Sequence, residues 1–227
     1  MSSEETSGGA ERRVDRAKKA DGTLFVICSP SGGGKGTLIR RVLSSVPHLG
    51  YSISWTTRPP RPGEVHDKHY HFTTIEEFER LRAEGEFLEW AVVHGNLYGT
   101  ALRTVAFEME SGRDVVLEID VQGAETVRQK VNNSVGIFIL PPSYEELRER
   151  LSARKSDPPG TIARRLQNAR GEVERYAEFD YIVLNDEVER AAAQLAAIVL
   201  AERARRERQE DLARRVLSTF PETLRPI

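Results

Sequence analysis

The stretch SPSGGGKGTL, residues 29–38, follows the apolar run LFVIC (24–28) and precedes an amphipathic segment. A glycine-rich loop between a strand and a helix presents backbone N–H groups at the helix N-terminus, where they bind phosphate. Such loops have the pattern G-x-x-x-x-G-K-[ST]. Here Ser29 stands in place of the first glycine, and Gly36 stands in place of the hydroxyl residue after Lys35. The stretch predicts a phosphate loop altered at two positions.

The two altered positions leave the binding chemistry in place. Lys35 can reach the β- and γ-phosphates of a nucleotide, and Thr37 supplies a hydroxyl one residue later than usual. Mg²⁺ dehydrates reluctantly, so it can be held mainly by nucleotide oxygens and water, with Thr37 as a possible ligand. A glycine-rich turn with an incidental lysine is the alternative, which the flanking strand and helix disfavour. The predicted ATP-binding residues here are Ser29, Pro30, Ser31, Gly32, Gly33, Gly34, Lys35, Gly36 and Thr37.

Composition narrows the class of protein. The 227 residues carry 33 Lys plus Arg and 35 Asp plus Glu, a net charge of -2, so no overall positive charge favours nucleic acid as a partner. The sequence has no apolar run of the ~20 residues needed to span a membrane and no apolar signal-peptide core. Its one cysteine, Cys28, lies in the apolar run and is expected to be buried. These features predict a cytoplasmic protein with no nucleic-acid or membrane partner.

The order of apolar runs and helical segments predicts an α/β fold with a mainly parallel sheet flanked by helices. Two S/T-x-x-E capping boxes, Thr74 with Glu77 and Ser143 with Glu146, predict helices that run toward Gly85 and Arg154. The predicted core strands are LFVIC (24–28), VVLEI (115–119), VGIFIL (135–140) and YIVLN (181–185).

Three further segments interrupt or extend this pattern. Residues 50–99 contain short strands (YSIS, HYHF, FLEWAVV) around one helix and predict an inserted subdomain. The stretch KSDPPG (155–160) predicts a mobile flap, because Pro158, Pro159 and Gly160 are not expected to continue a helix. Residues 188–217 predict one long helix. Residues 1–20 are polar and charged, which predicts a disordered leader.

A second anion site is predicted in YSISWTTRPPRPGEVHDKHYHF (51–72). Arg58 and Arg61 lie in a proline-stiffened turn, where two guanidinium groups can bind one phosphate in bidentate fashion. Ser54 and Tyr70 add hydroxyl donors. A solvated basic loop is the alternative for two arginines alone, and the presence of the phosphate loop favours the anion site.

Six segments together resemble the guanylate kinase family, bacterial type. They are SPSGGGKGTL, SISWTTRPPRPGEV, FLEWAVVHGNLYGT, VVLEIDVQGA, RLSAR with ARRL, and YIVLND, in matching order from about Gly22 to Leu200. The resemblance implies a P-loop nucleoside monophosphate kinase fold that transfers a phosphoryl group from ATP to GMP with Mg²⁺, as a monomer or homo-oligomer. It also implies a kinase domain at 21–204 (core 21–49, 100–153 and 171–204; GMP-binding subdomain 50–99; mobile lid 154–170) and a helical extension at 205–227.

The resemblance also implies roles for individual residues. Lys35, Arg154 and Arg165 match the positions that act on the transferred phosphoryl group. Asn185 matches a position near adenine, although a turn-forming asparagine is a close alternative. The residues implied to bind GMP are Ser54, Arg58, Arg61, Tyr70, Glu89, Tyr98, Thr100, Glu118 and Asp120. The lid departs from the family, since Lys155, Ser156 and Asp157 stand where many members have Gly-Thr-Glu.

The guanine assignment has a physical basis. Guanine presents N1–H and an N2 amine side by side, so one carboxylate can accept from both, and adenine offers no such pair. A site that hydrogen-bonds its substrate can reject an analogue lacking those groups by roughly 10⁴. Glu89, beside Trp90 in an apolar strand, is the candidate carboxylate; an ordinary edge-strand glutamate is the alternative.

Two other classes of function compete with this prediction. A non-catalytic guanylate-kinase-like module would bind phosphorylated partners, but it would be expected to lose Lys35, Arg154 or Arg165. A kinase for another phosphorylated acceptor, such as a ribose bisphosphate, would not need Glu89, Thr100 and Asp120 together. A metal site at His66, His69 and His71 is disfavoured because no fourth ligand is evident.

Overall fold

A five-stranded parallel sheet forms the centre of the computed structural model, which describes residues 22–153 and 159–221. In chain order the strands are β1 (Leu24–Cys28), β2 (Leu49–Ser52), β3 (Trp55–Thr56), β4 (His71–Phe72), β5 (Phe87–Val93), β6 (Asn96–Ala101), β7 (Asp114–Glu118), β8 (Val135–Leu140) and β9 (Tyr181–Leu184). The central sheet has the order β2-β7-β1-β8-β9, and all its neighbours are parallel. This confirms the predicted parallel sheet.

Helices cover both faces of this sheet. They are α1 (Lys35–Ser45), α2 (Ile75–Ala83), α3 (Leu102–Glu110), α4 (Val121–Lys130), α5 (Tyr144–Ser152), α6 (Pro159–Glu174), α7 (Val188–Arg203) and α8 (Glu210–Leu217). On one face, Leu38 of α1 and Leu195 of α7 pack in the same apolar cluster. On the other, Val105 of α3 and Val127 of α4 share a second cluster. Both clusters draw residues from β1, which is buried along its whole length.

The two predicted capping boxes begin helices as expected. Thr74 Oγ1 accepts the Glu77 N–H at 3.2 Å at the start of α2, and Ser143 Oγ accepts the Glu146 N–H at 3.2 Å at the start of α5. A side-chain oxygen at this position satisfies an N–H group that has no partner within the helix. The caps therefore locate both helix starts correctly from sequence.

A second, four-stranded sheet lies between β2 and α3 in the chain and has the order β4-β3-β6-β5. The strand predicted at FLEWAVV matches β5, whereas β6 was not predicted. The assignment of YSIS (51–54) to this inserted part was wrong. Leu49–Ser52 is the edge strand of the central sheet, because Leu49 and Tyr51 pack against the core cluster below α1 and α7.

The predicted break at KSDPPG falls partly outside the described residues, which resume at Pro159. The expectation that Pro159 and Gly160 lie outside a helix was wrong, since α6 begins at Pro159. Proline is accepted in the first helical turn because its missing N–H would have no intrahelical partner there.

The single C-terminal helix predicted for 188–217 is divided. Helix α7 ends at Arg203, a short 3-10 turn covers Arg206–Arg208, and α8 follows. Arg203 Nε donates to Asp114 Oδ2 at 2.6 Å, and the buried Glu202 accepts from the Tyr181 hydroxyl at 2.5 Å. These contacts tie the end of α7 to the central sheet. No residue of α8 is buried, so packing does not extend α7 into it.

The three clustered histidines have local partners. His71 Nδ1 lies 2.7 Å from Asp67 Oδ1, His69 Nδ1 accepts the Val65 N–H, and His66 Nδ1 accepts the Phe72 N–H. In the part of the chain that the structure describes, no group of three or more His, Cys, Asp or Glu side chains is arranged to hold a metal ion. No helix among residues 22–153 and 159–221 is long and apolar enough to cross a bilayer.

Candidate functional site

The glycine-rich loop connects β1 to α1 with two residues in the left-handed backbone region. Gly32 has φ of 93° and Gly34, the N-cap of α1, has φ of 88°. A Cβ at Gly34 would lie 2.2 Å from Asn185 Nδ2, and one at Gly32 would lie 2.8 Å from Leu151 Cδ2. Both positions therefore require glycine, for backbone conformation and for space.

Three hydrogen bonds fix the backbone of this loop. The Gly33 N–H donates to Pro30 O at 2.9 Å, Asn185 Nδ2 donates to Gly33 O at 2.7 Å, and the Ser31 N–H donates to Glu172 Oε2 at 3.0 Å. Two of these partners come from distant parts of the chain. The loop is therefore held by the end of β9 and by α6 as well as by its own turn.

Asn185 is buried at the end of β9, and the structure defines which end of its amide faces the loop. Its Nδ2 donates to the loop carbonyl of Gly33, which is an acceptor only. Its Oδ1 is buried and has no hydrogen-bond partner among the described residues. A buried acceptor without a partner is costly, so this oxygen is suited to a donor on a bound ligand.

Lys35 and Glu118 lie at the opposite side of the loop, against the end of β7. Lys35 Nζ donates to Ile119 O at 2.9 Å. A Cβ at Gly36 would lie 3.4 Å and 3.6 Å from the two carboxylate oxygens of Glu118. The Tyr51 hydroxyl donates to Glu118 Oε2 at 3.2 Å, and burial, followed by the Glu118 charge, raises the pKa of Tyr51. Glu118 thus faces the loop position where a hydroxyl normally stands.

Arg58 is fixed by contacts on three sides. Its Nε donates to the Tyr98 hydroxyl at 3.1 Å, its Nη2 donates to Glu64 Oε1 at 2.9 Å, and its guanidinium lies 5.3 Å from the Tyr70 ring centre. Glu64 Oε2 also accepts the Arg61 N–H at 2.7 Å. Although burial opposes it, hydrogen bonding from Arg58 and Arg61 lowers the pKa of Glu64. The arginine is therefore oriented by an ionised carboxylate.

Glu89 and Thr100 form a buried pair in the smaller sheet. The two residues face each other across β5 and β6, and both are at most 3% exposed. Burial raises the pKa of Glu89 to about 7, although the Thr100 hydroxyl opposes this by donating to the carboxylate. A Cβ at Gly123 would lie 2.4 Å from Glu89 Oε2, so only glycine leaves room for this carboxylate at the start of α4.

Asp120 borders the same region as the N-cap of α4. Its Oδ1 accepts the Gly123 N–H at 2.9 Å, and its Oδ2 accepts from Gln122 Nε2 at 2.9 Å. The Asp120 charge contributes to the raised pKa of Glu89, which places two carboxyl groups close together. Asp120 directly follows Ile119, whose carbonyl accepts from Lys35 Nζ.

Comparison with known proteins identifies the family of this chain. The sequence model of the guanylate kinase family matches residues 21–202, which is most of the chain. The chain belongs to the guanylate kinase family. It is 48% identical over 187 residues to the guanylate kinase of Geobacter metallireducens, covering 82% of this chain and 92% of that protein. It is 50% identical over 192 residues to that of Rhizobium meliloti, covering 84% and 88%.

A solved guanylate kinase has the same architecture. The crystal structure of guanylate kinase from Anaplasma phagocytophilum aligns with a TM-score of 0.71 and 34% identity, covering 82% of this chain and 89% of that one. The predicted P-loop nucleoside monophosphate kinase fold is therefore confirmed.

The structure places the predicted guanylate kinase residues in three groups. The loop residues, Lys35 and Asn185 meet at one end of the central sheet, and Arg58, Tyr70 and Tyr98 meet in the inserted part. Glu89, Thr100 and Asp120 form the third group, where β5 and β6 meet the start of α4. Glu118 lies against the loop, and its charge also acts on Tyr70 of the inserted part.

For the remaining predicted residues, the structure gives burial or a backbone contact, or does not describe the residue. Arg165 is buried within α6, and Ser54 is buried in the link from β2 to β3. Arg61 contributes its backbone N–H to Glu64. Arg154 lies outside the described residues.

Two site residues were missed from the sequence. Glu64 follows Arg61 by three residues in a basic turn, and an acid in that position could have been recognised as a partner for the arginines. Glu172 has no such local pattern. It reaches Ser31 from 141 positions away, so only the packing of α6 brings the two together.

Proposed function

We propose that this protein transfers the γ-phosphoryl group of ATP to GMP, giving ADP and GDP. The observation that carries the proposal is the buried Glu89–Thr100 pair beside Asp120, in the same molecule as a glycine-rich loop at the start of α1. A carboxylate so buried is suited to a ligand that offers two adjacent donors, and guanine offers them on N1 and N2. The membership of the guanylate kinase family supports the same reaction.

ATP is proposed to bind at the loop between β1 and α1. The N-terminus of α1 presents backbone N–H groups, and the first turn of the helix contains no acidic residue to compete with phosphate. The unpaired Oδ1 of Asn185 is a suitable acceptor for the adenine amino group. Asn185 would then hold the loop with one end of its amide and the base with the other.

Residues at the loop fit a magnesium ion bound together with ATP. Glu118 faces the position of the missing hydroxyl at Gly36, and carboxylate oxygen is a preferred ligand for Mg²⁺. The Thr37 hydroxyl instead accepts from Arg40 Nη2 at 3.3 Å. We therefore propose Glu118, directly or through water, as the main protein group toward the metal, in place of its implied contact with GMP. A bound Mg²⁺ would neutralise charge on the phosphates.

GMP is proposed to bind across the smaller sheet. Arg58 is the phosphate-binding group, held in place by Glu64 and Tyr98, and the hydroxyls of Tyr70 and Tyr98 border the same position. Glu89, Thr100 and Asp120 select the base. Ser54 and Arg61 are proposed to complete the phosphate site, on the strength of the family resemblance.

The transfer step requires alignment and positive charge more than covalent help from the protein. Lys35 is held at the carbonyl next to Asp120, between the loop and the guanine site, where it can follow the phosphoryl group during transfer. Arg165 on α6 and Arg154 beyond the described residues are proposed as further cations from the lid. Closure of that lid would exclude water and limit hydrolysis of ATP.

A coupled assay of ADP release tests the proposal. With ATP and Mg²⁺, GMP is expected to turn over at least 10³-fold more efficiently than AMP, UMP or CMP, in line with the discrimination reached by hydrogen-bonding sites. Lys35→Ala is expected to abolish turnover. Equal turnover of AMP and GMP would contradict the role of Glu89, and full activity of Lys35→Ala would contradict the ATP site. A cytoplasmic location, supported by the single buried Cys28, is part of the same proposal.

A further inference from the structure

The inner face of α6 carries two charged residues separated by two helical turns. Arg165, Ala169 and Glu172 follow the spacing i, i+4, i+7, which places them on one side of a helix. Arg165 is 6% exposed and Ala169 is 2% exposed. The polar face of a surface helix is solvated. Because Arg165 and Ala169 are both buried, this face of α6 packs against the rest of the protein.

The neighbour of this face is the phosphate loop. Ala169 packs in a cluster with Leu147 and Leu151 of α5. A Cβ at Gly32 would lie 2.8 Å from Leu151 and 3.1 Å from Leu147, so the same cluster touches the loop. The apolar contacts therefore bring α6 and α5 together directly beside the loop.

Glu172 adds a polar contact to the apolar contacts that hold α5 and α6 beside the loop. Its Oε2 accepts the Ser31 N–H at 3.0 Å, and Ser31 is the third residue of the loop. Burial raises the pKa of Glu172, and the Ser31 N–H and the charge of Lys35 act in the opposite direction. The contribution of Lys35 shows that the carboxylate lies within electrostatic reach of the lysine at the far end of the loop.

We propose that Glu172 is a positioning residue for the ATP site. Its carboxylate accepts the Ser31 N–H and so holds the phosphate loop in register with α6, the helix that also carries Arg165. The inference rests on the proposed role of the loop in binding ATP. Together with Asn185, which holds Gly33 O, Glu172 fixes the loop backbone from the opposite part of the fold.

The position of Glu172 distinguishes this role from a general structural one. Its carboxylate contacts the backbone of the loop, and the residue is half-buried. Its removal leaves the Ser31 N–H without its acceptor and removes a polar contact that adds to the apolar packing of α6 beside the loop. The effect is therefore expected on ATP and on the transfer step, while the GMP site across the smaller sheet stays as it is.

Steady-state kinetics of two variants, with a matched control, test the proposal. Glu172→Ala is expected to raise KM for ATP about ten- to a hundredfold, the size of one hydrogen bond to a charged group, and to lower kcat. Its KM for GMP should stay within twofold of the wild type. Glu172→Gln keeps an oxygen that can accept the Ser31 N–H, so it should restore most of the loss. The control is Glu174→Ala on the same helix, where Glu174 pairs with Arg170 in solvent and should leave both KM values unchanged.

Calorimetric titration of ADP into the same variants measures binding without turnover. The proposal predicts that ADP binds Glu172→Ala more weakly than the wild type, by a similar factor. It would be overturned by an unchanged KM for ATP in Glu172→Ala, by a Glu172→Gln variant as impaired as Glu172→Ala, or by an equal rise in both KM values. A wild-type protein that released no ADP with GMP would instead contradict the proposed reaction, and calorimetry would still test Glu172.

Discussion

The Thr100 hydroxyl donates to Glu89 Oε1 at 2.5 Å across strands β5 and β6, and neither side chain reaches solvent appreciably. Thr100 can satisfy one lone pair of a buried carboxylate but cannot supply a positive charge. The carboxyl group therefore has a raised pKa of about 7 and is poised between its two protonation states near neutral pH. A guanine that donates twice to the carboxylate would favour the ionised state.

The pH dependence of GMP binding should follow the ionisation of Glu89. Since GMP needs the carboxylate, and the pKa of Glu89 is about 7, GMP affinity should rise about tenfold between pH 6 and pH 8. Calorimetry in buffers of different ionisation enthalpy would show proton release on binding near pH 6.5. The phosphate of GMP also titrates near pH 6, so Glu89→Gln is the control. A wild-type pH profile that matches Glu89→Gln would contradict this account.

The contribution of Glu89 to the stability of the protein without GMP should fall with rising pH for the same reason. Between the ordinary carboxyl pKa of 4.5 and about 7, the folded state binds more protons at Glu89 than the unfolded state does. Stability from this group is thus full below pH 4.5 and is lost as pH rises to 7, by roughly 3 kcal/mol. Urea denaturation at pH 5 and pH 8 measures the change. The difference between Glu89→Gln and the wild type should grow in favour of the variant at pH 8, and a constant difference would contradict the prediction.

Gly34 should be the least replaceable glycine of the phosphate loop. Gly34→Ala places a Cβ 2.2 Å from Asn185 Nδ2 at φ of 88°, so the loop must shift. Activity with ATP is expected to fall about 10²-fold or more, as when one donor to a transition state is misplaced. The control is Gly171→Ala in α6, where a Cβ meets no atom within 4 Å. That change should stabilise the helix by about 0.5–1 kcal/mol and leave kinetics intact. Comparable activity of the two variants would contradict the assigned loop geometry.

Glu64 should stabilise the fold more than an exposed acid with the same type of partner. Its side chain and that of Arg58 are 18% and 11% exposed, whereas Glu84 pairs with Arg80 in solvent. Glu64→Ala leaves Arg58 without its carboxylate and is expected to cost about 2 kcal/mol. Glu84→Ala should cost less than about 1 kcal/mol. Urea denaturation of both variants measures the contrast, and equal losses would argue against a specific Arg58–Glu64 pair.

The strands and helix starts could be predicted where local sequence patterns determine them. Apolar runs located four strands of the central sheet, at LFVIC, VVLEI, VGIFIL and YIVLN, and the side chains of Thr74 and Ser143 located two helix starts. Prediction from sequence failed where contacts between distant parts of the chain determine the position or length of an element. The burial of Leu49 and Tyr51 places β2 in the central sheet. The hydrogen bonds of Glu202 with Tyr181 and of Arg203 with Asp114 hold the end of α7, so this helix is shorter than the sequence predicts.

The site was predictable to a similar extent. The loop, Arg58 and Glu89 follow from sequence pattern and family resemblance, and the structure brings each of them beside further predicted residues. The position of Glu118 beside Gly36 and the contact of Glu172 with Ser31 could not be predicted in this way. Both depend on which helix or strand end packs against the loop, and neither leaves a local trace in sequence.

The most direct test of the central claim compares kcat/KM for GMP and AMP in the wild type and in Glu89→Gln. The variant keeps the size of the side chain but replaces the charged acceptor by an amide with one acceptor oxygen. We expect the preference for GMP over AMP to fall about 10²-fold, because a hydrogen-bonded charge is lost at the base, while KM for ATP stays unchanged. A Glu89→Gln enzyme that retained the full preference for GMP would contradict the claim that the buried Glu89–Thr100 pair selects guanine.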